Sequence, residues 1–203
     1  MVKGIITYNT IVIASWAAFL LVWIVSAFSV KRDIKGGGIA SLWYRFWLLR
    51  FVVAALIVFV ASRVATGTPH YSTVNVILSR GFFTPPLILG WFGACLAALG
   101  VLFAIWARVH LGTNWSPAPA VKEDHQLVTS GPYAFERHPI YTGVILAGLG
   151  SALTGTTIGI AVRILGPVLF SLRIRKEEAI MLELFPEYPA CMKRTKRLIP
   201  YIW

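Results

Sequence analysis

The chain has 203 residues, of which 57% are hydrophobic and only 13% charged, and it carries a formal charge of +11. Soluble domains average ~45–50% apolar and ~25% charged residues, so this composition excludes an ordinary soluble enzyme and points to one multi-pass membrane domain. The positive charge sits between apolar runs and at the C-terminus, where cytoplasmic loops carry it, so nucleic acid is set aside as the partner.

Residues 5–30 form an uncharged apolar run. It is longer than the ~20 residues that cross a bilayer and exceeds the ~7–15-residue core of a cleavable signal, so it reads as a retained span. Lys31, Arg32 and Lys35 follow, and then three glycines, Gly36 to Gly38, which make a loop. A second run covers 42–65, with Arg45, Arg50 and Arg63 near its ends, where long side chains can snorkel. After a Pro/Gly-punctuated connection, a third run covers 87–107, with Trp91 and Trp106 placed like interfacial anchors.

The longest polar segment is 108–139. Apolar character returns at 140–153 and at 158–172, separated by Thr154-Gly155-Thr156-Thr157. Each piece is short for a full span, and together they predict a tight helical hairpin. The remainder, 173–203, is charged and begins as a helix. The expected fold is therefore all-α: one membrane domain over 1–203, with three N-terminal spans in 1–107. The polar loop, the hairpin and a charged tail helix occupy 108–203. Five spans, with the N-terminus outside and the C-terminus inside, put every basic cluster on the cytoplasmic side. The loop at 108–139 and the tail then share one face. Cys95 and Cys191 have no metal or disulfide spacing, and no His/Cys/carboxylate cluster has metal-ligand spacing.

Two constellations carry chemistry. In the first, Thr129-Ser130-Gly131-Pro132 is a turn, followed by Tyr133 and then by Arg137-His138-Pro139. The proline pushes His138 toward an extended backbone and can open the next helix. His138 then stands at a helix entrance beside unpaired N–H groups, which suits polar ligand groups. Anchoring a helix at the interface is the plainer role for Arg137 and His138. In the second, Arg173 and Glu177 stand four apart on one helical face. The carboxylate could take both hydroxyls of a ribose while the arginine orients an acidic acceptor; a solvated ion pair fits the same spacing. Arg163, inside the last apolar run, is a further candidate because intramembrane arginines are costly. His70 and His110 are lone histidines. No G-x-G-x-x-G, P-loop or G-x-S-x-G motif occurs.

As an ordered set, these residues resemble the isoprenylcysteine carboxyl methyltransferase family, itself similar to membrane phospholipid N-methyltransferases. The set comprises His125 through Tyr133, Arg137-His138-Pro139-Ile140-Tyr141-Thr142-Gly143, Glu177-Glu178, and Phe185 to Tyr188. The resemblance covers about 111–200. It implies an integral membrane enzyme using S-adenosylmethionine on a lipophilic or lipidated acceptor. It implies cofactor contacts from His125, Gln126, Leu127, Val128, Tyr133, His138, Pro139, Ile140, Tyr141 and Glu177, with Arg173 beside the methyl acceptor and no metal. A multi-pass protein of a prokaryotic cytoplasmic membrane is expected, with membrane lipid around it. The chain departs from the family pattern at Pro186, Cys191 and Ala118. The other readings are a membrane NADPH-dependent sterol-type reductase, a phospholipid or small-thiol methyltransferase, and a non-catalytic scaffold or transporter. Neither the acceptor nor the oligomeric state is legible in these residues.

Overall fold

The structure is a computed structural model and describes residues 2–27, 33–35, 84–115, 121–155 and 157–198. Helix α1 is Val2–Ala27 and α2 is Leu87–Leu111. A 3-10 turn, η1, covers Gly112–Asn114, and a second, η2, covers Gly131–Ala134. Helix α3 is Pro139–Leu153, α4 is Thr157–Leu184 and α5 is Tyr188–Arg194. The predicted run at 42–65 and His70 lie outside the described residues, as does the side chain of Arg163.

The hairpin expected around Thr154 is present. Helix α3 ends at Leu153, Gly155 turns the chain with φ +81°, and α4 returns. Helix α4 continues past the apolar run to Leu184, so Arg173 and Glu177 extend the same rod. Among the described residues, the all-α expectation needs one addition: an antiparallel ribbon of β1 (Asp33–Lys35) and β2 (Val121–Lys122). It joins the loop after α1 to the polar loop, at the end of the bundle where the tail also lies.

Helices α2 and α3 pack antiparallel through small residues. Ala97, Ala104 and Ala147 have no exposed surface, and Gly93, Gly100, Gly143 and Gly150 are buried beside them. A methyl group at Gly143 would lie 2.6 Å from Ala104 N and 2.7 Å from Gly100 O, so the two backbones touch. Apolar solvent cannot drive helices together by hydrophobicity, and close backbone packing through small residues does that work in a bilayer. Helix α1 joins at the far end, where the Tyr8 ring covers Gly90 within a cluster containing Val12, Ala94 and Ala97. Midway, Trp16 Nε1 donates to Ser151 Oγ at 2.9 Å.

The outer faces are apolar. Ile13, Leu21, Ile88, Leu99, Leu102 and Val109 are all more than half exposed. Two helical segments, Tyr8–Ser26 and Leu87–Asn114, are long and apolar enough to cross a membrane. Gly143→Val should overpack the α2–α3 contact and destabilise the protein by ~1–3 kcal/mol. Thermal unfolding in detergent checks this; a variant as stable as the parent would refute the backbone contact.

Candidate active site

The turn that opens the site requires a glycine. Gly131 has φ +57°, a left-handed conformation, and Pro132 then starts η2. This rotates Tyr133 into the interior, where it is 8% exposed and its hydroxyl faces the Ala107 carbonyl at 3.4 Å. His110 packs on the same turn, with Nε2 2.9 Å from Ser130 Oγ and its ring parallel to Tyr133.

Pro139 is the first residue of α3, as expected, and His138 is its N-cap with φ −128° and no capping hydrogen bond. The imidazole is therefore left for other partners. It stacks on Tyr141 and lies between two carboxylates: Nδ1 is 3.6 Å from Glu177 Oε2, and Nε2 is 3.5 Å from Glu178 Oε1. Nε2 is buried and makes no hydrogen bond.

The two glutamates serve different neighbours because adjacent helical residues point ~100° apart. Glu177 Oε1 accepts from Tyr141 Oη at 2.7 Å and from Arg173 Nε at 2.8 Å. The predicted Arg173–Glu177 pair thus exists, and Tyr141 joins it. Glu178 is 4% exposed and turns toward the tail. It accepts from Arg137 Nε at 2.9 Å and from Arg197 Nη2 at 2.6 Å. Arg137 Nη1 also donates to the Thr195 and Met192 carbonyls. Arg137 is therefore more than an interfacial anchor: it latches the tail onto the loop. Burial raises the Glu178 carboxyl, but contacts from His138, Arg197 and Arg137 outweigh this and hold it down at about 2.

Glu136 behaves oppositely. It has no exposed surface, and burial raises its carboxyl to about 7 against the lowering contact with Thr142. Thr142 Oγ1 lies 2.7 Å from Glu136 Oε2 and also faces the Leu198 carbonyl. One hydroxyl hydrogen cannot serve both acceptors. The set closes when Glu136 is protonated and donates to Thr142, which donates to Leu198.

Around these groups lies a cavity of about 330 Å³. Its lining includes His125, Gln126, Leu127, Val128, Tyr133, His138, Ile140, Tyr141, Arg173 and Glu177, which are all but one of the expected site residues. The exception is Pro139, which is buried as the start of α3 and does not line the cavity. Gln126 N donates to Asn114 Oδ1 at 3.3 Å, which fixes the loop against η1. The sequence motifs missed Phe19 and Trp23 of α1, Trp115 and Phe170, all in the lining, where Tyr188 of the tail motif and Cys191, one of the departures from the family pattern, also stand. The motifs also missed Arg108, which counted as a loop charge. It is 2% exposed, donates to the Gly112 and Ser26 carbonyls, and stacks over Trp115 at 4.4 Å. A cation in the last turn of an apolar helix, facing terminal carbonyls, was the available signal. Among the described residues, no group of three His, Cys, Asp or Glu could hold a metal.

Residues 93–183 match the model of the Isoprenylcysteine carboxyl methyltransferase (ICMT) family, so the resemblance read from the motifs holds over that segment. The chain is 36% identical over 111 residues to protein-S-isoprenylcysteine O-methyltransferase of Schizosaccharomyces pombe, covering 51% of this chain and 46% of that one. It is 28% identical over 124 residues to the cobalt-zinc-cadmium resistance protein CzcN of Cupriavidus metallidurans, covering 59% of this chain and 52% of that one. A solved structure of the eukaryotic intramembrane Ras methyltransferase ICMT superposes with a TM-score of 0.49 at 25% identity, over 75% of this chain and 53% of that one. The chain spans about half the length of these relatives.

The two buried acids make opposite contributions to stability with pH. The Glu178 carboxyl is lowered from 4.5 to about 2, so its stabilisation is present above pH 4.5 and lost as pH falls toward 2. The Glu136 carboxyl is raised from 4.5 to about 7, so its stabilisation is complete below pH 4.5 and lost as pH rises to about 7. Glu178→Gln should flatten the acid side of a plot of unfolding temperature against pH, and Glu136→Gln the neutral side. Identical profiles in parent and variants would refute both assignments.

Proposed function

We propose that this chain is an S-adenosylmethionine-dependent integral membrane methyltransferase acting on a lipophilic acceptor, most readily a carboxylate as in isoprenylcysteine O-methylation. The observation that supports it best is the setting of Glu177. One carboxylate oxygen gathers the Tyr141 hydroxyl and the Arg173 guanidinium, and the other faces His138, all on the wall of one cavity. The residues fit the cofactor. Glu177 offers a carboxylate for ribose hydroxyls. Leu127, Val128 and Tyr133 give an apolar wall, and His138 Nε2 is a buried nitrogen without a hydrogen bond.

The cofactor supplies a methyl group on a positively charged sulfur, already a strong donor. The chain's residues then have to bind, align and exclude water. An acceptor carboxylate is ionised at neutral pH and needs no general base. Arg173, about a third exposed, is placed to hold it. Its Nε is committed to Glu177, so acceptor and cofactor recognition are coupled through one hydrogen bond. Tyr141 stacks on Phe170 at 4.9 Å, and Phe170 lies on α4 one turn before Arg173. This carries the wall from the polar end into apolar surroundings.

In this reading the protein makes five crossings of a prokaryotic cytoplasmic membrane, with the N-terminus outside and the C-terminus cytoplasmic. Helices α1 and α2 run in the same direction, as that topology requires. The polar cofactor enters from the cytoplasm and the acceptor from the bilayer.

Arg173→Ala should abolish methyl transfer to N-acetyl-S-farnesyl-cysteine while S-adenosylhomocysteine still binds. Glu177→Ala should weaken that binding about 10–100-fold, the scale of a lost charged hydrogen bond. Calorimetric titration in detergent, alongside NADPH, together with a labelled-methyl assay, checks both. Binding of NADPH in place of S-adenosylhomocysteine would refute methyl transfer.

A further inference from the structure

Helix α1 brings no motif to the site, yet it supplies two rings to the cavity, Phe19 and Trp23. Their depth follows from helix geometry. Trp16 is tied to Ser151 near the far end of α3, while the Ser26 carbonyl is tied to Arg108 at the site end. At ~1.5 Å of rise per residue, Trp23 lies ~10 Å nearer the site than Trp16, and Val144 lies ~10 Å nearer than Ser151. Trp23 and Val144 therefore face the cavity at one level. Phe19 lies ~6 Å deeper, away from Glu177 and toward the membrane interior.

These rings are held firmly. Phe19 and Trp23 stack at 3.9 Å with 21° between their planes. Trp16 meets Phe19 edge-on at 5.5 Å, and Trp23 meets Trp115 edge-on at 6.2 Å. Arg108 lies over the Trp115 ring at 4.4 Å and binds the last turn of α1. Trp23 is only 7% exposed. The deep end of the cavity is therefore a fixed aromatic surface rather than an adaptable aliphatic one. The volume of about 330 Å³ is near the low end of the ~300–1,000 Å³ typical of ligand pockets, and a nucleoside cofactor needs a share of it.

We infer that Phe19 and Trp23, clamped through Trp115 and Arg108, close the membrane-side end of the acceptor site and select compact apolar acceptors over long-chain ones. This rests on the methyl-transfer reading above. The polar end holds the acceptor head at Arg173, and the stacked rings limit how far its tail extends.

The test uses the full-length protein in detergent with three acceptors: N-acetyl-cysteine thioethers bearing butyl, decyl or farnesyl groups. The parent should favour butyl over farnesyl in kcat/KM. Phe19→Ala should shift the farnesyl-to-butyl ratio upward by at least ~tenfold, the scale on which pockets discriminate chain size. Phe19→Leu, milder on α1 packing, should shift it the same way and serves if the alanine variant does not fold. Equilibrium binding of the same acids in the presence of S-adenosylhomocysteine, read by tryptophan fluorescence, gives the ranking without turnover. A parent that favours farnesyl, or an unchanged ratio in variants that still bind S-adenosylhomocysteine, overturns the inference and leaves methyl transfer standing. A parent that neither binds S-adenosylhomocysteine nor transfers methyl overturns both.

Discussion

The Glu178 carboxylate accepts from Arg137 and Arg197 and faces His138, so one buried charge ties together the polar loop, α4 and the tail. Each of these pieces is distant in sequence and none could hold its place alone. A buried ion pair contributes little net stability when complete, but losing one partner strands the other and costs ~3–5 kcal/mol. The cluster therefore acts mainly by specifying one arrangement. Because Glu178 is occupied with this, its neighbour Glu177 is free to face the cavity. The site depends on that division of labour between two adjacent residues on one helical turn.

The tail is fastened a second time by a different chemistry. Arg137 N and Lys196 N exchange backbone hydrogen bonds with Lys196 O and Phe135 O, forming a parallel bridge. Beside it, Glu136, Thr142 and the Leu198 carbonyl form a second polar chain, in which burial raises the Glu136 carboxyl to about 7. The Glu178 carboxyl is shifted down and the Glu136 carboxyl up, so the two fastenings respond oppositely to acid. Between them they confine the tail over a broad pH range, which keeps Tyr188 buried at the cavity edge.

Much of this was legible in the sequence, for identifiable reasons. Apolar runs and the Thr154–Thr157 punctuation located α1, α2 and the hairpin, because helix length in a bilayer is dictated by backbone satisfaction. Arg173 and Glu177 were legible because i,i+4 spacing places two side chains together on any helix. His138 was legible because a following proline restricts the backbone. The contributions of Phe19, Trp23 and Trp115 were not, since an aromatic residue in an apolar run reads the same whether it faces lipid or cavity. Arg108 was misjudged because a cation at the end of a span looks like a loop charge until its carbonyl partners are known. Pro139, grouped with the cofactor contacts, begins α3 and is not in the cavity lining. The β1–β2 ribbon is too short to leave a period in the sequence.

The contact between α2 and α3 has a mechanical consequence. Where glycine and alanine bring two backbones together, no flexible side chains remain between them to yield, so the pair cannot shear or rotate without collisions. It behaves as a single rigid plate. Any breathing motion that opens the cavity sideways must be taken up by the elements leaning on that plate, α1 on one side and α4 on the other. Helix α4 carries Arg173 and Glu177, so movement there would disturb that ion pair and its hydrogen bond from Tyr141. Helix α1 is held to the plate at three levels, by Tyr8 over Gly90, by Trp16 on Ser151 and by Arg108 on the Ser26 carbonyl, so an outward movement of α1 has to release all three.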